Sequence, residues 1–351
     1  MSKLSDYAAD SVLRHIIQNQ LMKIPVIRDI SEILHQTGLD RSSEKILIYL
    51  KKFIELIDQS AVDINNKTVL ELGPGKTPDI LYCLLLFGAE RAIGLDTSNY
   101  LKSNSLMVKN FRYTDNWLEK AILNKTLSIK KNLRIGRYKD KIKIPDSEMK
   151  YDIYDGKKFD IKDNSIDIIV SKSVLEHVRF FEEVINETFR VLKPGSISCH
   201  LIDLRDHYTF KNKKKDWLRF LRYKGSLWNL MASNRSSWCN RLRASEWNDL
   251  FSKAGFEVVT QEVLRKDFHK EFDLSKLSYP FSEMPNDELN ICWLNIVCKK
   301  PNAKSMVANF TIGKKGYEDA QDEFTNILNE SEDPRSKLTD VILNQNKKVK
   351  F

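Results

Sequence analysis

An α/β fold, doubly wound around a mainly parallel seven-stranded sheet, is predicted for this 351-residue chain by three observations. The first is the run Val69-Leu70-Glu71-Leu72-Gly73-Pro74-Gly75-Lys76-Thr77, an apolar strand entering a glycine-bracketed turn that a helix, Pro78 to Phe87, follows. Glycine lets a backbone turn sharply and approach a ligand, and the N–H groups opening the next helix point at the same spot. The second is the alternation of apolar runs with helical patterns from Thr68 through Asp203, which implies parallel strands covered on both faces. The third is another apolar run, Ala92-Ile93-Gly94-Leu95, ending in Asp96. That places a carboxylate about 20 residues past the glycine turn, where it accepts hydrogen bonds from both hydroxyls of a ribose.

The elements follow in order. Residues 1–60 form a helical N-terminal segment, with Ile46, Leu50, Phe53, Ile54 and Ile57 at helical spacing, expected to pack over the sheet edge. Residues 61–300 form the main domain. Its later strands are Tyr151–Tyr154, Ser165–Ser171, a fifth strand ending at Asp203, Phe256–Val259 and Cys292–Cys298. A helix from Phe180 to Val191 closes at Leu192-Lys193-Pro194-Gly195, and another from Ala244 closes at Gly255, since proline and glycine end helices. Residues 301–351, with eight basic and eight acidic side chains and weak apolar patterning, read as a charged, partly flexible tail.

A dinucleotide fingerprint asks for a third glycine where Pro78 stands, which disfavours NAD. Glu71, Gly73 and Gly75, with Thr77 in place of a last glycine, resemble the first motif of the class I S-adenosylmethionine-dependent methyltransferases. The resemblance continues in Asp155-Gly156, in Phe159 through Ser171, in Val174-Leu175-Glu176-His177-Val178 and in Leu192-Lys193-Pro194-Gly195, so it runs from residue 68 to 204. It implies a Rossmann-like fold and S-adenosyl-L-methionine as cofactor. By the same resemblance the cofactor contacts are Glu71, Gly73, Pro74, Gly75, Asp96, Thr97, Asp155, Gly156 and Ser171, with Asp155 near the adenine. The segments His200-x-x-Asp203-Leu204-Arg205-Asp206-His207 and Asn240 through Trp247 are similar to a type 11-like subgroup associated with surface-polysaccharide and other glycan biosynthesis. That analogy implies a hydroxyl acceptor on a sugar or glycan-like molecule.

Composition fits a cytoplasmic enzyme: 42% hydrophobic and 30% charged residues, no apolar run of membrane-spanning length, and no hydrophobic signal core at the N-terminus. Five cysteines without a Cys-x-x-Cys pair read as reduced, buried thiols, and no zinc site is indicated. The net charge of +9 is concentrated in insertions: residues 101–147 carry twelve Lys and Arg against four acids, and residues 205–224 carry eight against two. Residues 208–243 read as an aromatic and basic cap, in a region where Trp217, Trp228, Trp238 and Trp247 are interleaved with arginines. Such faces stack on sugars or bases and pair with phosphate or carboxylate; a small helical cap using tryptophan as its core is the equal alternative. Ligands of open α/β sheets bind beyond the carboxyl ends of the strands, which puts this cap over the acceptor.

Methyl transfer is an in-line displacement, so the protein must align the nucleophile and exclude water. An alcohol must also lose its proton. His207 is the first candidate base, with Asp203 or Asp206 to orient it, and His200 is a further candidate. Arg205, Arg241, Arg243 and Trp238 are candidate contacts for an acidic or phosphorylated acceptor, Arg241 and Arg243 facing one side if the chain around Leu242 is extended. The alternatives are a small-molecule N- or O-methyltransferase of other metabolism, and a nucleic-acid-binding methyltransferase using the basic insertions. Ser171-Lys172-Ser173-Val174 stands where an Asn/Asp-Pro-Pro-Tyr/Phe motif would mark methylation of base or glutamine amino groups.

Overall fold

The computed structural model describes residues 12–28, 43–75, 78–98, 104–123, 145–209, 216–235, 238–267 and 273–302. Lys76 and Thr77, residues 101–103 and 124–144 of the basic insertion, residues 210–215 and 236–237 of the cap, and the tail from residue 303 lie outside the described residues.

Seven strands form one sheet: β1 (Thr68–Leu72), β2 (Arg91–Asp96), β3 (Met149–Ile153), β4 (Ile166–Lys172), β5 (Leu192–Asp203), β6 (Glu257–Arg265) and β7 (Ile291–Lys299), in the order β3-β2-β1-β4-β5-β7-β6. The first five are mutually parallel, and β7 runs antiparallel between β5 and β6. β5 begins earlier than its sequence pattern indicates, at Leu192, and absorbs Pro194 and Gly195 in an irregularity of its pairing with β4, where Gly195 takes a φ of +82°. A glycine permits that left-handed conformation at no side-chain cost.

Alternate residues of each strand feed opposite layers, as the two-residue side-chain period requires. Val69, Ala92, Ile168, Val170, Cys199 and Leu201 pack with the helices α1 (Ser43–Gln59), α2 (Asp79–Leu86) and α3 (Asn104–Leu123). Leu70, Leu72, Ile93, Leu95, Ile169 and Ile202 pack with α4 (Phe181–Val191) and α5 (Ala244–Lys253). All eight residues of α2 are buried, which accounts for the longest apolar run in the sequence. Within this layer Tyr82 stacks on Phe111 at 3.8 Å between ring centres and donates its hydroxyl to Asp115 Oδ1 at 2.9 Å.

The cap has a core of its own, in which Leu218, Phe220, Leu221, Trp228, Met231, Cys239, Leu277, Phe281 and Cys292 are buried together. Trp228 and Trp247 are therefore packing residues, Trp247 in the main domain. The N-terminal segment differs from its expected place. Helix α1 covers the sheet, whereas the earlier helix Val12–Leu21 lies on the cap. Asn19 there donates to the carbonyl of Leu230 at 2.9 Å and accepts from the N–H of Asn234 at 2.7 Å.

Arg243 fastens cap to sheet. Its side chain is fully buried, and the guanidinium donates to the carbonyls of Leu204 at 2.7 Å, Ile291 at 2.5 Å and Leu289 at 3.2 Å, at the end of β5 and the start of β7. Burial lowers its pKa to about 10, so the group stays charged at neutral pH and offers these carbonyls charge-assisted hydrogen bonds. Arg243→Ala is expected to cost roughly 3 kcal/mol, because several buried acceptors lose a charged donor at once. Urea unfolding of the two proteins measures this; a loss below about 1 kcal/mol, the net worth of one ordinary hydrogen bond, contradicts the assigned role.

Candidate functional site

The parallel strands end on one side of the sheet, and the candidate residues meet there. Gly73, at φ +66°, donates its N–H to the carbonyl of Leu95 at 2.8 Å, and a Cβ at this position would lie 2.4 Å from Val174 Cγ2. The turn after β1 is thus pressed onto the loop after β4. Gly75, at φ +69°, has no atom of the described residues beyond its chain neighbours within 4 Å of where a Cβ would project, so among them it presents bare backbone to open space. Its N–H donates to Asp96 Oδ2 at 3.0 Å, while Asp96 Oδ1 accepts from Thr97 N at 2.7 Å. Burial raises the Asp96 pKa against the opposing pull of the Gly75, Thr97 and Ser98 N–H groups and of Tyr151.

Two residues not singled out from the sequence shape this corner. The Tyr151 hydroxyl donates toward the carbonyls of Gly75 at 3.2 Å and Ser98 at 3.3 Å. Gly94 leaves room for Leu81 and Pro74, each under 3.0 Å from where its Cβ would sit. The Tyr154 N–H bond to the Asp96 carbonyl, 2.9 Å, draws Asp155 and Gly156 beside Asp96 and Thr97. Asp155 is exposed; its carboxylate accepts from the N–H groups of Lys158 and Lys157, both at 2.8 Å, which lower its pKa. Glu71 lies buried beneath the turn. A glycine facing open space, a carboxylate at its rim and an acidic turn alongside fit an adenosine-bearing cofactor.

On the other flank, Ser171 and His200 bond to each other, Oγ to Nδ1, at 2.8 Å. Both are 1% exposed, His200 stacks on Phe251 at 5.1 Å, and burial pushes its pKa down to about 3. His200 is therefore a neutral core group and not a base facing an acceptor, and the Ser171 hydroxyl serves His200. Asp206 is also used elsewhere: it accepts from Arg219 Nε at 3.0 Å and from Tyr208 N at 2.8 Å.

Asp203 remains as the partner of His207, Oδ2 to Nε2, at 3.5 Å. The same carboxylate takes two bonds from Arg205, Nε at 2.7 Å and Nη2 at 2.5 Å. Burial opposes its charge, yet Arg205 and His207 hold its pKa below the ordinary value. For His207 burial also opposes charge, but Cys239 and Asp203 outweigh it and the pKa stands well above the ordinary imidazole value. His177 packs edge-on against His207, 4.8 Å between ring centres, with its Nδ1 2.7 Å from the Trp238 carbonyl; burial takes its pKa down to about 4. Although no metal-ligand spacing is visible in the sequence, the fold gathers His177, His207 and Cys239 into one cluster. No local signal marks it, because each residue comes from a different segment.

The arginines divide. The Arg205 guanidinium lies 4.8 Å from the Trp217 ring centre and 5.8 Å from that of Trp293, at the end of β5. Arg241 has a φ of +69°, so the chain is not extended there, and it donates to the carbonyls of Tyr223 at 2.6 Å and Phe220 at 3.2 Å. With Arg243 enclosed among carbonyls, the expected pair of acceptor contacts is instead a pair of internal ties. Trp238 stays half-exposed, its Nε1 donating to Asn229 Oδ1 at 3.2 Å and Arg179 lying 4.6 Å from its ring centre.

Comparison with known proteins adds the family. A polyketide synthase of the highly reducing type from Calcarisporium arbuscula is 30% identical over 134 residues, 38% of this chain, and the match spans only 5% of that much longer protein. An S-adenosylmethionine-dependent methyltransferase from Mesorhizobium loti is 15% identical over 74% of this chain and 99% of its own, with a TM-score of 0.39. Another, from Methanosarcina mazei, is 16% identical over 70% and 97%, with a TM-score of 0.40. The sequence profile described as Methyltransferase domain matches residues 48–261, more than half of the chain, and the protein belongs to that family, with S-adenosylmethionine as its cofactor.

Proposed function

We propose that the protein transfers the methyl group of S-adenosylmethionine to a hydroxyl of a sugar or glycan-like acceptor, anionic in character. The observation that carries this reading is the set at the end of β5, where Asp203, Arg205 and His207 meet beside the half-buried Trp217. An indole face suits the C–H face of a sugar ring, and guanidinium suits carboxylate or phosphate. Lys266, 4.6 Å from the same indole, adds a second cation.

The residues divide the work. Gly73, Pro74 and Gly75 shape the backbone cradle, with Asp96 and Thr97 toward the ribose and Asp155 and Gly156 toward the adenine, over the buried Glu71. The cofactor supplies an electrophilic sulfonium methyl when bound. Asp203 orients His207 through Nε2, and His207, in the neutral form that its raised pKa confines to higher pH, takes the acceptor's proton as the new O–CH₃ bond forms. Trp238 and Arg205 border the acceptor. A nucleic-acid reading draws no support from the described cap, whose Arg219 and Arg222 pair with Asp206 and Asp216 and whose Arg241 and Arg243 bind carbonyls.

Transfer of radiolabelled methyl to a panel of neutral sugars, sugar phosphates, uronic acids and RNA tests the acceptor class. Labelling of the anionic sugars is expected, and labelling of RNA alone overturns the proposal. Asp96→Ala is expected to weaken cofactor binding by about 1–3 kcal/mol through loss of its hydrogen bonds, read by calorimetry; unchanged affinity removes Asp96 from the ribose site. His207→Ala is expected to cut turnover by about 10²-fold or more with cofactor affinity intact, and a fully active variant removes His207 from the mechanism.

A further inference from the structure

We propose that His177, His207 and Cys239 bind a zinc-like divalent metal ion on the acceptor side of the site. One ring nitrogen of each histidine and the Cys239 sulfur lie within 4.8 Å of one another. In a tetrahedral zinc site with bonds of about 2.0–2.3 Å, neighbouring nitrogen and sulfur ligands sit roughly 3.3–3.8 Å apart. His177 Nδ1 already lies 3.9 Å from Cys239 Sγ, so small side-chain rotations close the set. Sulfur with two imidazoles selects zinc or cobalt(II) over magnesium or calcium, which prefer oxygen.

The surroundings fit ligating histidines. Such a histidine is held by an oxygen on its far nitrogen, which fixes the ring and the position of its proton. Here Asp203 Oδ2 faces His207 Nε2 at 3.5 Å, itself anchored by Arg205, whereas the Trp238 carbonyl lies 2.7 Å from the His177 Nδ1 that approaches Cys239, and ligation through that nitrogen exchanges this bond for the metal. With His207 Nε2 on Asp203, its Nδ1 is left to converge with His177 Nδ1 and Cys239 Sγ; when metal is bound, His207 is a ligand and not the base of the metal-free site. Three protein ligands are the count of a zinc site that keeps a fourth position for an oxygen. On binding, Cys239 loses its thiol proton to solvent and ligates as thiolate.

The test reads metal and not turnover, so its outcome is separate from that of the acceptor proposal. The full chain, stripped with a chelator and shown by calorimetry still to bind S-adenosylhomocysteine, is titrated with cobalt(II). A thiolate-to-cobalt charge-transfer band that saturates at one ion per chain is expected, with the intense visible bands of four-coordination. Zinc should displace both and raise the unfolding temperature. The band should vanish in Cys239→Ser while cofactor binding persists, and His177→Ala should weaken cobalt binding at least tenfold, by about 1.4 kcal/mol or more. Folded, cofactor-binding wild-type protein that shows no charge-transfer band overturns the proposal and leaves a hydrogen-bonded His–Cys cluster. A band that survives Cys239→Ser overturns it equally, since the sulfur then comes from elsewhere.

Discussion

How closely the turn after β1 can lie against the loop after β4 decides the shape of everything around the site. At Gly73 that approach leaves no room for a side chain, because Val174 occupies the place a Cβ would take. The same loop carries Glu176 and His177 on its short 3₁₀ turn, Leu175–His177. One steric contact therefore sets the distance between the cofactor flank and the acceptor flank. Interiors packed as densely as organic crystals transmit such a displacement instead of absorbing it. A larger residue at position 73 would push Val174 and, with it, His177 away from His207 and Cys239.

Polar groups around this contact are arranged by the need to satisfy buried donors and acceptors. Asp96 at the end of β2 binds the N–H of Gly75 in the neighbouring turn, so strand and turn are held in register by a carboxylate. Asp203 at the end of β5 plays a corresponding part, tied to Arg205 and facing His207. Buried charges that lack partners are costly. Each of these carboxylates consequently has its donors in place, and under the proposed function a ligand hydroxyl binds by taking over or adding to a bond already organised. That is preorganisation in the sense that matters for catalysis, since little has to move when the cofactor arrives.

The legible part of the sequence was the part governed by local rules. Apolar period, glycine turns and the proline and glycine that end helices locate the seven strands, and Asp96 at the end of β2 could be picked out from strand and turn, whereas Asp155 after β3 was picked out by the family resemblance. The antiparallel insertion of β7 between β5 and β6 was not legible, because pairing partners are chosen by tertiary packing and not by neighbours in the chain. The arginines misled for the same reason. Arg241 and Arg243 look like a pair facing solvent when the chain around Leu242 is read as extended. The left-handed conformation of Arg241 breaks that alternation, and Arg243 turns inward to the carbonyls of Leu204, Leu289 and Ile291. His200 sits one residue from Leu201 in an alternating strand, and its face is set by the sheet's register, which pairs Ser171 with it and turns both into the core.

The cap shows why charge counts overstate how much of a basic insertion is available to a ligand. A cap built on a core as small as that around Trp228 cannot rely on apolar burial alone, because small cores bury too little surface relative to their ordering cost. Its cations supply the remainder: Arg219 to Asp206, Arg222 to Asp216, Arg241 and Arg243 to main-chain carbonyls. These groups hold the insertion together and to the sheet, and they are spent in doing so. Among the described residues, those left facing the end of β5 are a much shorter set, Arg205 and Lys266 around Trp217, beside Asp203 and His207. A site with two cations flanking one indole recognises a compact anionic molecule far better than an extended polyanion, which needs a continuous basic stripe along its length. The same structural demand that explains the basicity of the cap therefore leaves fewer of its described cations for the proposed anionic acceptor than the charge count suggests.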